Sequence, residues 1–301
     1  MNVLVLDQLT DDQRSALAAM LDRCRAADGY APLSEVQREA ARHSDLGHHG
    51  IRVVAAFDGP SLVGAAFLTP AADHSVAIHM AIDPDHRGDG DVGPTLLGVA
   101  LDETSGERWL WVIHAEQADD AAVRPFGFEP ERDVLQMTVP LPLPDEIVAA
   151  TRPVATRPFK PPQDEQPWLA VNNLAFAGHP EQGDWTLDQL HDRLAAPWVD
   201  LDGFLVADAP DGNGLIGSCW TKVHATVEPV VGEIYVISVN PDHHGQGWGR
   251  ALTVAGLQWL SAQGISIGML YTSASNTTAV ALYHSLGFTI DHVDRAYRLA
   301  E

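Results

Sequence analysis

Cysteine is scarce in this chain, with two residues, Cys24 and Cys219, among 301. Two isolated thiols cannot build a disulfide framework, so a reduced, cytoplasmic protein is expected, with each thiol acting as a small buried apolar side chain. Positive charge is also short. Lysine and arginine total 18 against 41 acidic residues, a formal net charge of −23. Such a field repels polyanions and argues against nonspecific binding to nucleic acid or an anionic membrane. An anionic ligand must then be held by local dipoles. No run of about 18 apolar residues exists, so no membrane span is expected. The start, Met1 to Asp7, lacks the basic and long apolar regions of a signal peptide. The His243-His244 pair has no further ligands at suitable spacing, so no metal is expected.

What is present suffices for two domains, and 46% hydrophobic residues allow a core in each. In the first half, apolar runs predict strands over 2–6, 52–57, 62–68, 76–82, 109–113 and 134–139. Helices are expected over 11–27 and through Leu96, Leu97 and Leu101. Prolines crowd residues 140–162, so 141–155 is expected to be a linker between domains over 1–140 and 156–301. The second half repeats the order. Helices are predicted over 168–176, 185–194 (capped by Thr186) and 276–286, strands over 204–207, 215–222, 234–239 and 265–271, and a final strand pair near 288–299. Ile82-Asp-Pro-Asp-His-Arg-Gly-Asp-Gly90 matches Val239-Asn-Pro-Asp-His-His-Gly-Gln-Gly247 at an offset of 157, which suggests an internal duplication.

The stretch Gly232 to Gly249 concentrates the chemistry. Strict alternation along the strand would place Glu233, Tyr235, Ile237 and Val239 on one face. Gly245, Gly247 and Gly249 then lead into a helix through Ala251, Leu252, Val254, Leu257 and Leu260. Free backbone N–H groups and the helix dipole make such a junction an anion site. A P-loop would need a lysine after the glycines, and a dinucleotide fingerprint would sit near the first strand of the domain. Neither condition is met. His244-Gly-Gln-Gly247-Trp-Gly249 instead resembles the Gln/Arg-x-x-Gly-x-Gly/Ala loop of the GNAT superfamily of N-acetyltransferases, with His244 departing at the first position. Asn276, Ala279, Tyr283 and Gly287-Phe288 repeat that superfamily's later spacing. The segments Val171 to Trp185, Trp220 to His224 and Gly232 to Val236 further resemble the mycothiol synthase family of tandem acetyltransferases, as does Asp28 to Glu35 more loosely. That resemblance implies a mixed-sheet α/β fold with two tandem GNAT domains. It also implies acetyl transfer from acetyl-CoA to the cysteinyl amine of Cys-GlcN-Ins, by a monomer.

Acetylating an amine requires a neutral nucleophile, a stabilised oxyanion and a proton for the leaving thiolate. Glu233, an acid in an otherwise apolar strand, is the candidate base, directly or through water. A backbone N–H at the strand end, at Val239, is the candidate oxyanion donor. The resemblance makes Tyr283 the general acid. It places acetyl-CoA against Ile237, Ser238 and Val239, against His244, Gly245, Gln246, Gly247, Trp248, Gly249 and Arg250, and against Asn276, Thr277, Thr278, Ala279, Val280 and Ala281. It assigns Glu35, Glu181, Lys222, Glu233 and Tyr271 to the acceptor. In the first half, Met80, Ala81, Ile82, Gly88, Asp89 and Gly90 occupy the corresponding cofactor positions. There Val76, Val123 and Glu116 replace Glu233, Tyr283 and Asn276, and Asp89 and Asp91 flank the loop, so a catalytically silent first domain is expected. Two other readings share the fold motifs, a tandem acetyltransferase for a different small amine or peptide N-terminus, and an acyl-CoA-sensing module. Glu233 and Tyr283 argue against the second of these.

Overall fold

A computed structural model describes the chain apart from residues 43–45, 47–49, 72, 88–89, 179–181, 211, 213, 226–228 and 300–301. The fold divides into two compact units, Met1–Val134 with His292–Glu301, and Leu135–Asp291. In the first unit come β1 (Asn2–Leu6), α1 (Asp11–Asp28), α2 (Glu35–Ala40), β2 (Arg52–Asp58), β3 (Ser61–Pro70) and β4 (Val76–Ile82). Next are α3 (Val92–Asp102), β5 (Arg108–Val112) and α4 (Gln117–Val123), and β6 (Glu129–Pro140) carries the chain into the second unit. There follow α5 (Asp145–Ala149), β7 (Arg157–Pro158), α6 (Glu165–Ala175), α7 (Leu187–Leu194), β8 (Phe204–Asp208), β9 (Leu215–His224) and β10 (Val231–Val239). Then come α8 (Trp248–Ala262), β11 (Ile267–Ser273), α9 (Thr277–Ser285) and β12 (Thr289–Leu299), which belongs to the first unit from His292 on.

The first unit orders its strands β1–β2–β3–β4–β5–β12. Both faces are buried, and β2 shows why its residues are apolar throughout. Val53 and Ala55 join Leu17 and Met20 of α1, while Val54 and Ala56 join Leu96 and Leu97 of α3. The last strand pairs antiparallel with β5 from Arg295↔Val112 to Leu299↔Arg108. It is one continuous strand where the sequence suggested a pair, because no Gly or Pro interrupts residues 289–299. The short α4 was not visible as a periodic pattern. Its start is secured by a reciprocal capping box between Glu116 and Asp119.

The second unit orders its strands β6–β11–β10–β9–β8–β7. On one face α6 brings Trp168 against Phe204 and Trp220, all three fully buried. On the other, α8 approaches closely through glycine: a Cβ on Gly256 would stand 2.4 Å from Cys219 Sγ. Both cysteines are free and buried. Burial pushes the Cys219 thiol up to about 12. The proline-rich stretch after β6 carries α5 and buries Leu141 and Leu143.

Candidate active site of the second unit

β10 does not alternate as expected. Its register against β9 shifts between Ile234 and Val236, a β-bulge that adds Tyr235 to the strand. Before the bulge Glu233 lies opposite Lys222, and after it Ile237 lies opposite Cys219. Lys222 faces the α6 side, its Nζ 4.6 Å from the Trp198 ring centroid and 5.5 Å from that of Tyr235. Cys219 faces α8. Glu233 and Tyr235 therefore belong to one face, and Ile237 and Val239 to the other. The extra residue is what breaks the two-residue period.

The bulge coincides with a parting of strands. β10 and β11 pair in parallel only at Gly232↔Gly268 and Glu233↔Met269, and among the described residues they continue without pairing each other. Asn240 N–H donates to Ile216 O at 2.8 Å. Alternate residues of an antiparallel pair point the other way, so the N–H groups of Ile237 and Val239 are directed away from β9, towards the opening. Glu233 stands where the strands separate and is buried, at 7% exposure.

Beyond β10 the chain makes a 3-10 turn capped by Asn240, then passes through Gly245 and Gly247 at φ of +73° and +81°. Both lie in the left-handed region that glycine enters without penalty. Gly247 is the N-cap of α8 and offers no side-chain cap, so the first N–H groups of this 15-residue helix are open to an anion. His244 Nε2 donates to Val239 O at 3.0 Å, tying loop to strand end. Arg152 was not anticipated from sequence. Its guanidinium carbon lies 3.4 Å from the Trp248 ring centroid, and its Nη1 donates to Gln246 O at 2.6 Å. Arg250 donates to Thr151 Oγ1 and Ser285 Oγ, at 3.0 and 2.8 Å. The indole Nε1 of Trp248 is buried without a hydrogen-bond partner among the described residues. A free strand edge, uncapped helix N–H groups and a nearby guanidinium fit the pantetheine amides and pyrophosphate of acetyl-CoA.

The other expected residues divide. Tyr283 of α9 is buried against Phe288, with ring centroids 5.7 Å apart. Burial first, and the Cys219 thiol second, push its hydroxyl up to about 12. Asn276 caps α9, its Oδ1 accepting from Ala279 N–H at 3.1 Å, and Thr277 to Ala281 form the first turns of that helix. Tyr271 is exposed on β11 and donates to Gln136 Oε1 at 2.6 Å. Glu35 begins α2 in the first unit. Glu181, Gly88 and Asp89 lie outside the described residues. A second unanticipated residue is His224, whose Nε2 lies 2.7 Å from Glu233 Oε2.

The first unit differs at each of these points. β3 and β4 keep register throughout, and β4 stays paired with β5 through His79↔Trp111, two strand positions that remain joined where β10 and β11 have parted. Because the bulge adds a residue to β10, strand register puts Ala77, and not the Val76 that a constant offset gives, at the position of Glu233, while Val123, at that of Tyr283, is buried. Ala81 packs on the α1 side of the sheet and Met80 and Ile82 on the α3 side, while Gly90 has φ of +70°. Arg87, the counterpart of His244, donates its Nε to Ile82 O at 3.0 Å and grips Asp28 with both Nη atoms, at 2.5 and 2.7 Å.

Fold and site together define an acetyl-CoA-dependent acetyltransferase built from two tandem GNAT domains. The acetyltransferase (GNAT) family matches residues 168–288. Over the full length the chain is 39% identical to a mycothiol acetyltransferase of Thermobispora bispora, covering 99% of this chain and 100% of that protein. It is 38% identical to one of Streptomyces coelicolor, covering 99% and 95%. The chain belongs to the mycothiol acetyltransferase family. Among solved structures, an N-acetyltransferase from Sphaerobacter thermophilus superposes with a TM-score of 0.75 at 22% identity, covering 99% of this chain and 95% of that one. A tandem GNAT protein from the clavulanic acid biosynthesis pathway gives 0.74 at 15%, covering 99% and 98%, and shares the fold. Among the described residues no helix is long and apolar enough to cross a membrane.

Proposed function

We propose that the chain transfers acetyl from acetyl-CoA to the cysteinyl amine of Cys-GlcN-Ins, giving mycothiol and CoA. The observation that carries this reading is a buried carboxylate, Glu233, set at the point where β10 and β11 separate. Full-length similarity to mycothiol acetyltransferases supplies the acceptor. Bound acetyl-CoA contributes the acetyl thioester and a thiolate leaving group. Residues 237–239, 244–250 and 276–281 hold it, and Arg152 adds a cation beside the loop. Glu233 takes a proton from the substrate ammonium, directly or through one water. The N–H groups of Val239 and Ile237, both directed away from β9, are the donors placed to polarise the thioester carbonyl. Tyr283, held protonated by its buried setting, donates to the departing sulfur. Lys222 and Tyr271 of the second unit contact the acceptor's hydroxyl and amide groups.

In this reading the first unit is catalytically silent, because the apolar residues Ala77 and Val123 stand where the base and the acid would be. The protein acts as a cytoplasmic monomer on a small amine and does not use nucleic acid. A substrate panel tests the acceptor. Purified protein with acetyl-CoA should acetylate Cys-GlcN-Ins and leave GlcN-Ins, which lacks the cysteinyl amine, and unrelated peptide N-termini untouched. Turnover of peptides without turnover of Cys-GlcN-Ins would move the chain to a different acceptor.

A further inference from the structure

The reaction as derived uses one oxygen of Glu233. The other is held by a residue with no role so far. His224 closes β9, and the register Val231↔His224 and Glu233↔Lys222 sets it diagonally across from Glu233 on the same face. Its Nε2 lies 2.7 Å from Oε2 of the carboxylate. An ionised carboxylate only accepts, so Nε2 carries the hydrogen and donates it. Glu233 is buried, and among the described residues His224 is its hydrogen-bond partner. Lys222, directly across the strand pair, directs its ammonium over the Trp198 and Tyr235 rings. Arg193, from α7, is engaged with the Tyr235 hydroxyl at 2.7 Å.

We infer that His224 is a positioning residue for Glu233, fixing the carboxylate through Oε2 so that Oε1 is the atom that accepts the proton of the substrate amine. Two physical consequences follow from the geometry. The carboxylate loses its rotational freedom before the amine arrives, so the base needs no search at the moment of transfer. When Oε1 takes the proton, Oε2 becomes the carbonyl oxygen of a neutral acid and still accepts from the same Nε2–H. The pair therefore survives the proton transfer with no hydrogen bond broken, which is the property of a preorganised site. The acceptor loses one proton to Glu233, and His224 neither gains nor loses any.

This inference rests on Glu233 being the base, and the experiment separates the two. Steady-state kinetics with acetyl-CoA and Cys-GlcN-Ins are compared for the native protein and for Glu233→Gln, His224→Leu and His224→Gln, with melting temperatures and CoA binding by calorimetry for each. His224→Leu should lower kcat about 10- to 100-fold, the range for a hydrogen bond to a charged group, while CoA affinity and the acetyl-CoA KM stay unchanged. His224→Gln keeps an N–H donor and should recover most of the rate. A purely structural histidine would instead lower melting temperature and CoA binding together, and glutamine would not restore kcat selectively. If Glu233→Gln is impaired but His224→Leu turns over at the native rate, the positioning role is wrong and the base survives. If Glu233→Gln itself is fully active, both fall.

Discussion

Glu233 is the buried carboxylate on which proton removal from the amine depends. Replacing it with Gln should reduce kcat by about 10²- to 10⁴-fold, most at mildly acidic pH, where the amine is protonated and needs a base. Tyr283→Phe should also lower kcat. Because burial pushes the Tyr283 hydroxyl up to about 12, it stays protonated through neutral and mildly alkaline pH. The native pH–rate profile should therefore show no fall attributable to this tyrosine between pH 7 and 10, and the variant should be slower with the same shape there. Arg152→Ala should weaken CoA binding, measured through Trp248 fluorescence, by about 5- to 50-fold, with Arg152→Lys intermediate because the ammonium cannot reproduce the planar stack. Glu233 stood out in the sequence as an acid in an otherwise apolar strand, and Tyr283 was singled out through the family resemblance. Arg152 and His224 were not. The first lies 94 residues from its partner Gln246, and the second is paired only through strand register. His244, the apparent departure in the loop, has a backbone task. It bonds the last carbonyl of β10 as Arg87 bonds the last carbonyl of β4, which explains why imidazole substitutes there.

Individual elements were largely visible as patterns, and the exceptions are informative. Helix α1 spans Asp11–Asp28 against an expected 11–27, because Thr10 caps its start and Gly29 ends it in the left-handed region. Strand β10 was correctly located and wrongly faced. A bulge depends on the partner strand, and nothing in Ile234-Tyr235-Val236 marks an extra residue. That single insertion redirects Ile237 and Val239 to the α8 side and ends the pairing with β11, creating the opening the chemistry uses. Close packing of α8 on β9 is equally specific. A Cβ on Gly217 would stand 2.2 Å from Ser238 O and 2.9 Å from Leu252 Cδ1. Gly217→Ala must push backbone aside, and should destabilise the protein by more than about 2 kcal/mol in denaturant unfolding.

For the whole molecule, the duplication was legible from the repeated loop, whereas the residue matching Glu233 was misplaced by one, at Val76 in place of Ala77, because the sequence does not show the bulge. The structure adds that β4, without a bulge, remains zipped to β5 as far as His79↔Trp111. Strand β12, from His292, completes the first unit although it ends the second repeat, an arrangement set by long-range pairing that sequence patterns do not encode. The first unit also carries an acid sensitivity. Burial lowers His79 to about 4, with its Nδ1 covered and without a partner among the described residues. A depressed folded-state value favours the neutral ring, so the stability it contributes is present above about pH 6.5 and is lost as pH falls through 4. At most about 3 kcal/mol is involved, less because the ring is partly exposed, and His79→Leu should flatten the fall in melting temperature across that range. The central claim is that acetyl transfer runs in the second unit on a base at residue 233. Its most direct test is mycothiol formation from acetyl-CoA and Cys-GlcN-Ins by native protein and by Glu233→Gln. Steady product formation by the first and its near loss in the second, with CoA binding retained, is the predicted result. Equal rates from both proteins, or no mycothiol from either, would contradict it.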